Sequence, residues 1–199
     1  MGKLFGTDGV RGLANTELSP LLALKLGTTA AHVLIESKSD ATVLVGRDPR
    51  LSGDILESAL VAGICSQGVD AILVGVIPTP AVAYLTVETG SAAGAVISAS
   101  HNPVKDNGIK FFGPDGYKLD DAIESAIEDQ IENFDSFHRP SGADVGHLRR
   151  SRELAQKYAA HTKSSVTCNL NGMKLALDCS NGAASELAPQ IFSELGAEV

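Results

Sequence analysis

The sequence predicts a three-layer α/β/α domain around a mixed, mostly parallel sheet, followed by the start of a second α/β domain. Three observations carry that prediction. Two strand-then-helix alternations, Thr42–Val45 with Asp54–Gln67 and Ala71–Val74 with a helix reaching Glu88, have the pattern of parallel strands joined by crossover helices. The apolar runs Ile109–Phe112 and Tyr117–Leu119 flank the turn Gly113-Pro114-Asp115-Gly116, which predicts an antiparallel hairpin at the sheet edge. Beyond a Pro- and Gly-containing stretch without apolar period, a strand over Met173–Asp178 and a helix over Ser185–Leu195 open a further alternation.

Residues 4–15 are glycine-rich and aperiodic, and read as mostly loop. Ser19-Pro20 starts a helix, with serine as N-cap and proline where its missing N–H costs nothing. That helix extends to Glu36, with Leu22, Leu26, Val33 and Leu34 turned inward. Thr42–Val45 is a buried strand ended by Gly46. After the loop Arg47–Gly53, the helix Asp54–Gln67 packs Ile55, Leu56, Ala59, Leu60 and Ile64 and closes at Gly68. Val76–Pro80 is a rigid turn between the strand Ala71–Val74 and the next helix. Asp121–Phe134 aligns Ile123, Ile127, Ile131 and Phe134 on one helix face, the other face being acidic and solvated.

The organisation that follows is a first domain over residues 1–135, a linker over 136–150 and the start of a second domain over 151–199, with Ser151–Lys163 as its first helix. One strand and one helix, with Ala197-Glu198-Val199 beginning another strand, cannot make a stable sheet alone, so the chain is expected to be part of a longer enzyme. The 199 residues are 44% apolar, enough for a sizeable core. Three cysteines, Cys65, Cys168 and Cys179, lie far apart and fit neither a disulfide framework nor a zinc site. No segment reaches membrane-spanning length and no signal segment opens the chain, which points to a cytoplasmic protein without a membrane partner. The net charge is −8, and residues 115–135 hold eight acids against Lys118 alone. Such a balance argues against a nucleic-acid partner, while converging arginines can still hold a small anion.

The chemistry concentrates in Gly94–Phe112. The buried run Ala95-Val96-Ile97 ends in the polar cluster Ser98–Asn102, Pro103 bars continuation, and Ile109–Phe112 resumes as a strand carrying Lys110. One loop between two strands thus presents Ser100, His101 and Asn102. A serine hydrolase is disfavoured, because neighbours on an extended segment face opposite ways and no G-x-S-x-G elbow surrounds Ser100. Arg11 sits in a glycine-rich loop suited to bidentate phosphate contact. Arg47, Asp48 and Arg50 allow two readings: an anion site at a helix start, or an aspartate pairing one arginine to fix the loop. His32 and Cys65 read as packing residues, His138, His147 and His161 as surface, and Asn181-Gly182 as a weak phosphate-loop signal.

Ser98-Ala99-Ser100-His101-Asn102-Pro103 followed by Asn107-Gly108-Ile109-Lys110 resembles the active-site serine loop of the α-D-phosphohexomutases. Phe5-Gly6-Thr7-Asp8-Gly9-Val10-Arg11-Gly12, Gly46-Arg47-Asp48-Pro49-Arg50-Leu51-Ser52-Gly53 and Pro78-Thr79-Pro80 agree with it in the family's order, the first of them with its hexosamine-specific branch. The resemblance implies an isomerase that interconverts glucosamine 6-phosphate and glucosamine 1-phosphate, a cell-wall precursor step. It works through a phosphoserine and a bisphosphorylated sugar; the alternatives are mannose or glucose phosphates, or a sugar-phosphate-binding fragment without turnover. By the same resemblance Ser100 carries the phosphoryl group, Lys110 and His101 assist proton transfer, and Arg11, Thr7, Arg47 and Asn102 hold phosphate or substrate. It further implies one magnesium ion, bound by the Ser100 phosphate and by aspartates beyond Val199, a bisphosphorylated hexose as activator, a phosphorylated hexosamine as substrate, and room for a homodimer. The chain taken alone would be inactive.

Overall fold

The computed structural model describes residues 4–34 and 41–199. Its elements are β1 (Val10–Leu13), α1 (Pro20–Leu34), β2 (Thr42–Arg47), α2 (Ser52–Cys65), β3 (Asp70–Val76), α3 (Thr79–Glu88), β4 (Ala93–Ile97), β5 (Asp106–Phe112), α4 (Asp121–Gln130), β6 (Leu148–Arg150), α5 (Glu153–Ser164) and α6 (Leu187–Glu194). The strands form one sheet in the order β1-β5-β4-β2-β3-β6. Pairs β2/β3, β2/β4 and β3/β6 are parallel, and β5 is antiparallel to both β4 and β1. This is the mixed, mostly parallel sheet expected.

Residues alternate between the sheet's two faces, and both faces are buried, as a helix-covered parallel sheet requires. Val43, Val45, Ala95, Ile97, Ile109 and Phe111 face one apolar core, beneath α1, α2 and α4. Leu44, Val96 and Phe112 face the other, with Val82 and Leu85 of α3, Leu154 of α5 and Ile191 of α6. The β2–β3 register shifts between Val45 and Gly46, and the extra residue falls at Val74, a bulge at the end of the strands that carries the loops.

Most elements stand where the sequence puts them. The Leu22 N–H donates to Ser19 Oγ at 3.1 Å, the N-cap bond expected for α1; the expected end of that helix at Glu36 lies outside the described residues. Several expectations are corrected. Residues 10–13 are not loop but strand β1, because Val10 is buried and the segment completes the free edge of β5. The hairpin across Gly113–Gly116 shrinks to a single bridge, Phe112 to Lys118. Ile55 is exposed on α2. The helix from Asp121 gives way after Gln130 to a 3-10 turn over Ile131–Ser136. Its acidic face is not wholly solvated: the Glu124 side chain is 5% exposed and takes Lys118 Nζ at 2.7 Å.

Residues 136–150, expected as linker, contribute β6 to the sheet, with the His147 N–H bonded to Asp70 Oδ1 at 2.7 Å. Met173–Asp178 is not a buried strand. It makes one parallel bridge, Lys174 to Glu198, and Met173 is 46% exposed, since no second strand covers its flank among the described residues. His32 is exposed, and its ring stacks on Phe137 with centroids 4.1 Å apart, a packing contact made at the surface.

Candidate active site

The loop between β4 and β5 leaves the sheet where Ser98 N–H bonds Gly108 O at 2.9 Å. Asn107, fully buried, anchors the return: its Nδ2 donates to Ser52 Oγ at 2.9 Å and its Oδ1 accepts from the Gly108 N–H at 2.8 Å. Within the loop, Ser100 has φ +55°, in the left-handed region that a residue with a side chain rarely enters. The Ser100 N–H donates to Ser98 Oγ at 3.0 Å, and Ser98 Oγ donates to Asp48 Oδ2 at 2.8 Å. Ser100 is exposed, with Oγ 3.3 Å from His101 Nδ1. The expectation that adjacency turns His101 away from Ser100 therefore fails, because it assumed an extended backbone and the left-handed turn brings the two side chains to one side.

Asp48 resolves one of the two readings of its motif. It accepts from Arg50 Nε at 2.9 Å and from the Arg50 N–H at 3.1 Å, and the pair fixes the loop. Arg47 points elsewhere, held by Asp54 at 2.5 Å and near Glu57 at 3.7 Å; burial pushes the Glu57 carboxyl above its usual range.

Ser100, His101 and Asn102 line a cleft of about 810 Å³ together with Asp48, Pro78, Thr79 and the segment Ser180–Ala184. Asn181-Gly182, a weak signal in the sequence, thus faces the serine loop from a point about eighty residues downstream. Its neighbour Ser180 and Asn181 itself both have φ +49°. Lys110 and Arg11 stand beside this cleft rather than in its lining. Arg11 lies opposite Gly108 in the β1–β5 register, where a Cβ on Gly108 would fall 2.9 Å from Arg11 Cγ and 2.7 Å from Ser98 O. Lys110 lies opposite Val96 on β4. Thr7 is exposed and borders a different cavity, of about 420 Å³, with Lys118, Glu124 and Glu128.

The sequence reading passed over Asp8. Lys110 Nζ donates to Asp8 Oδ1 at 2.9 Å, and Arg11 Nη2 lies 3.4 Å from Asp8 Oδ2. The hydrogen bond from Lys110, then its charge and that of Arg11, hold the Asp8 carboxyl below the usual aspartate range. Asp8 sits in the turn between Gly6 and Gly9. Gly9 has φ +85°, and a Cβ there would run into Ile109 O, so only glycine lets this turn lie against β5. The signal was present: an acid between Thr7 and Gly9, two residues before a strand bearing Arg11, in a chain whose partner strand bears Lys110. Among the described residues no three His, Cys, Asp or Glu side chains converge to hold a metal ion. The residues present therefore do not by themselves make a magnesium site.

The site is thus a helix-covered mixed sheet that presents an exposed, strained serine at the β4–β5 turn. Residues 2–137 match the family described as phosphoglucomutase/phosphomannomutase, alpha/beta/alpha domain I, and the chain belongs to that family. Among solved structures, a phosphoglucomutase/phosphomannomutase family protein of Burkholderia thailandensis superposes with TM-score 0.84 at 26% identity, over 98% of this chain and 43% of that one. The open form of parafusin from Paramecium, TM-score 0.69 at 16% identity over 98% of this chain and 42% of that one, shares the fold. The relatives of known name are more particular. Phosphoglucosamine mutases of Desulforamulus reducens, Pelotomaculum thermopropionicum and Moorella thermoacetica are 54%, 55% and 56% identical to it over its whole length. The chain spans 45% of the length of each of these relatives.

Proposed function

We propose that the chain is the N-terminal part of a phosphoglucosamine mutase. The observation that carries this is identity above one half, across all 199 residues, to relatives that bear that name. The more distant sugar-phosphate mutase that it superposes on is only 26% identical. In the proposed reaction phospho-Ser100 gives its phosphoryl group to a hydroxyl of the amino-sugar phosphate. The Oγ–P bond breaks, a bond from phosphorus to the sugar oxygen forms, and the hydroxyl proton leaves. Return of the other phosphate to Ser100 completes the isomerisation.

Such a transfer needs positioning and charge neutralisation more than covalent help from other residues. Lys110 and His101 would move the proton, Arg11 would steady the phosphoryl group, and Asn102 would bind at the cleft. Arg47 and Thr7, whose side chains lie away from the cleft, would act only if the rest of the protein brings substrate to them. A magnesium ion bound jointly with residues outside this chain, activation by a bisphosphorylated hexose, homodimer formation and a cytoplasmic location belong to the same reading. So does the division into a domain through residue 135, a linking segment and a second unit from 151. The family match ending at 137 supports the first of these boundaries, whereas β6 in the sheet and Leu154 and Ile191 in its core tie the later segments to the first domain.

Two measurements on the full-length protein test this: phosphopeptide mapping, and catalytic efficiency on glucosamine, glucose and mannose phosphates. Phosphate on Ser100 and a preference for glucosamine phosphate are expected. Parity among sugars, or a preference for mannose, would overturn the substrate. Absence of phosphate on Ser100 would overturn the chemistry.

A further inference from the structure

All five N–H donors of the Arg50 guanidinium are engaged, and four of them end on main-chain carbonyls of the serine loop. Nη2 donates to Ser100 O and Asn102 O, both at 2.9 Å, and Nη1 to Pro103 O at 2.7 Å and Asp106 O at 3.1 Å. The fifth, Nε, holds Asp48 Oδ2 at 2.9 Å. The Arg50 side chain is only 11% exposed and that of Asp48 only 12%. From the other side, Asp48 reaches the Ser100 N–H through Ser98 Oγ. Both peptide groups that flank Ser100 are therefore gripped by one ion pair, and Ser100 is the residue of the loop with φ +55°.

We propose that the Asp48–Arg50 pair is the positioning device of the phosphoryl carrier. It fixes the two peptides around Ser100 in the left-handed conformation, and so sets the direction in which Oγ and its phosphate face the cleft. This rests on reading Ser100 as the phosphoryl carrier. The pair acts through geometry and not through net charge, because Asp48 neutralises Arg50 and the guanidinium has no N–H left for a phosphate. Lysine has the charge but only three donors on a single nitrogen, and cannot reach four carbonyls and a carboxylate at once. Losing the grip misdirects the transfer while leaving the groups that bind the sugar in place, so the effect falls on kcat and not on KM.

The test is Arg50→Lys in the full-length protein, with Ser98→Ala as a milder variant that breaks the grip on the N–H side alone. For Arg50→Lys, kcat is expected to fall on the order of 100-fold, the scale of a misplacement of about 1 Å, with KM changed by less than about threefold. Amide exchange in a peptide covering 98–106 quickens, while peptides from β2 and α3 keep the wild-type rate. If Arg50→Lys does not fold, Ser98→Ala carries the same kcat-against-KM comparison. An unchanged kcat, or a loss confined to KM, overturns the proposal. If wild-type Ser100 carries no phosphate, the functional reading fails separately. The exchange rate of 98–106 then decides the clamp by itself: faster exchange in Arg50→Lys supports it, and an unchanged rate overturns it.

Discussion

The substitutions Ser100→Gly and Ser100→Ala together separate the chemistry of this residue from its strain. Both remove the hydroxyl, and neither touches the backbone bonds that the loop makes to Ser98 and Arg50. At φ +55° a residue with a Cβ carries a cost of roughly 1–2 kcal/mol that glycine avoids. Glycine gives back about 0.5–1 kcal/mol through its greater freedom in the unfolded chain. Ser100→Gly is therefore expected to be more stable than Ser100→Ala by about 0.8 kcal/mol, the difference between the midpoints of those two ranges. For a chain of this length that is a rise in Tm of about 1–4 °C. Urea titration at equal m-values reads the difference directly. Ser100→Ala itself should lie within about 0.5 kcal/mol of wild type, since it keeps the strain and loses only an exposed hydroxyl. Neither variant should take up phosphate at position 100 or isomerise substrate in the full-length protein. Equal stability of the two variants would refute the claim that the loop holds its serine under strain, and turnover by either would refute the role of the serine.

Other expectations concern the frame around it. A Cβ on Gly27 would fall in the carbonyl of Leu60, so Gly27→Ala should push α1 from α2 and cost about 1–3 kcal/mol by thermal or urea denaturation; a neutral result would deny that close crossing. Burial raises the Glu57 carboxyl, so the folded state binds that proton more tightly than the unfolded chain does. Wild type should accordingly gain stability relative to Glu57→Gln as pH falls from about 7 toward about 4, and a gap that does not vary with pH would contradict this. Asp8 is shifted the other way. Its contribution is present at neutral pH and lost only as the solution is acidified through and below the usual aspartate range. Asp8→Asn should change stability near neutral pH by less than about 1 kcal/mol while lowering turnover of the full-length protein; unaltered kcat/KM would remove Asp8 from the site. The purified 199-residue chain should show no mutase turnover, and detectable isomerisation would overturn that.

The alternation of strands and helices was legible because short apolar runs, bounded by Gly46, Gly68 and the Pro78–Pro80 turn, bury on both sheet faces and leave little else for those segments to do. Strand β1 was not legible. Its four residues, Val10–Leu13, have no period of their own, and become a strand only because β5 offers an unpaired edge. The same dependence on a partner runs the other way at Met173–Asp178, which looks like a strand and finds only Glu198 to pair with among the described residues. In the site, the identity of the serine was readable from residue types, whereas its conformation was not. A left-handed serine is set by Arg50 and Asp48, some fifty residues distant, and nothing in the local sequence Ala99-Ser100-His101 announces it. Arg47 and Arg50 looked equivalent in sequence. Their spacing puts one on the Asp54 and Glu57 side of α2 and the other beneath the serine loop.

Charge accounting at the cleft shows what this chain contributes and what it does not. Arg50 is matched by Asp48, Arg47 is flanked by Asp54 and Glu57, and the pair Arg11 and Lys110 shares Asp8. Of these three groups only the last has a positive surplus, a single charge, that of Arg11 and Lys110 over Asp8. A phosphoserine alone carries about −1.5 to −2 charges near neutral pH, and a substrate phosphate brings a similar amount. A site that holds both at once needs cations that these residues do not supply. The acids of this chain act as internal counterions: Asp48 orients Arg50 toward the serine loop, and Asp8 holds Lys110 toward the turn that precedes β1. On the proposed function, the further positive charge that two phosphates call for is supplied beyond these three groups, while Asp48 and Arg50 fix where the transferable phosphoryl group stands.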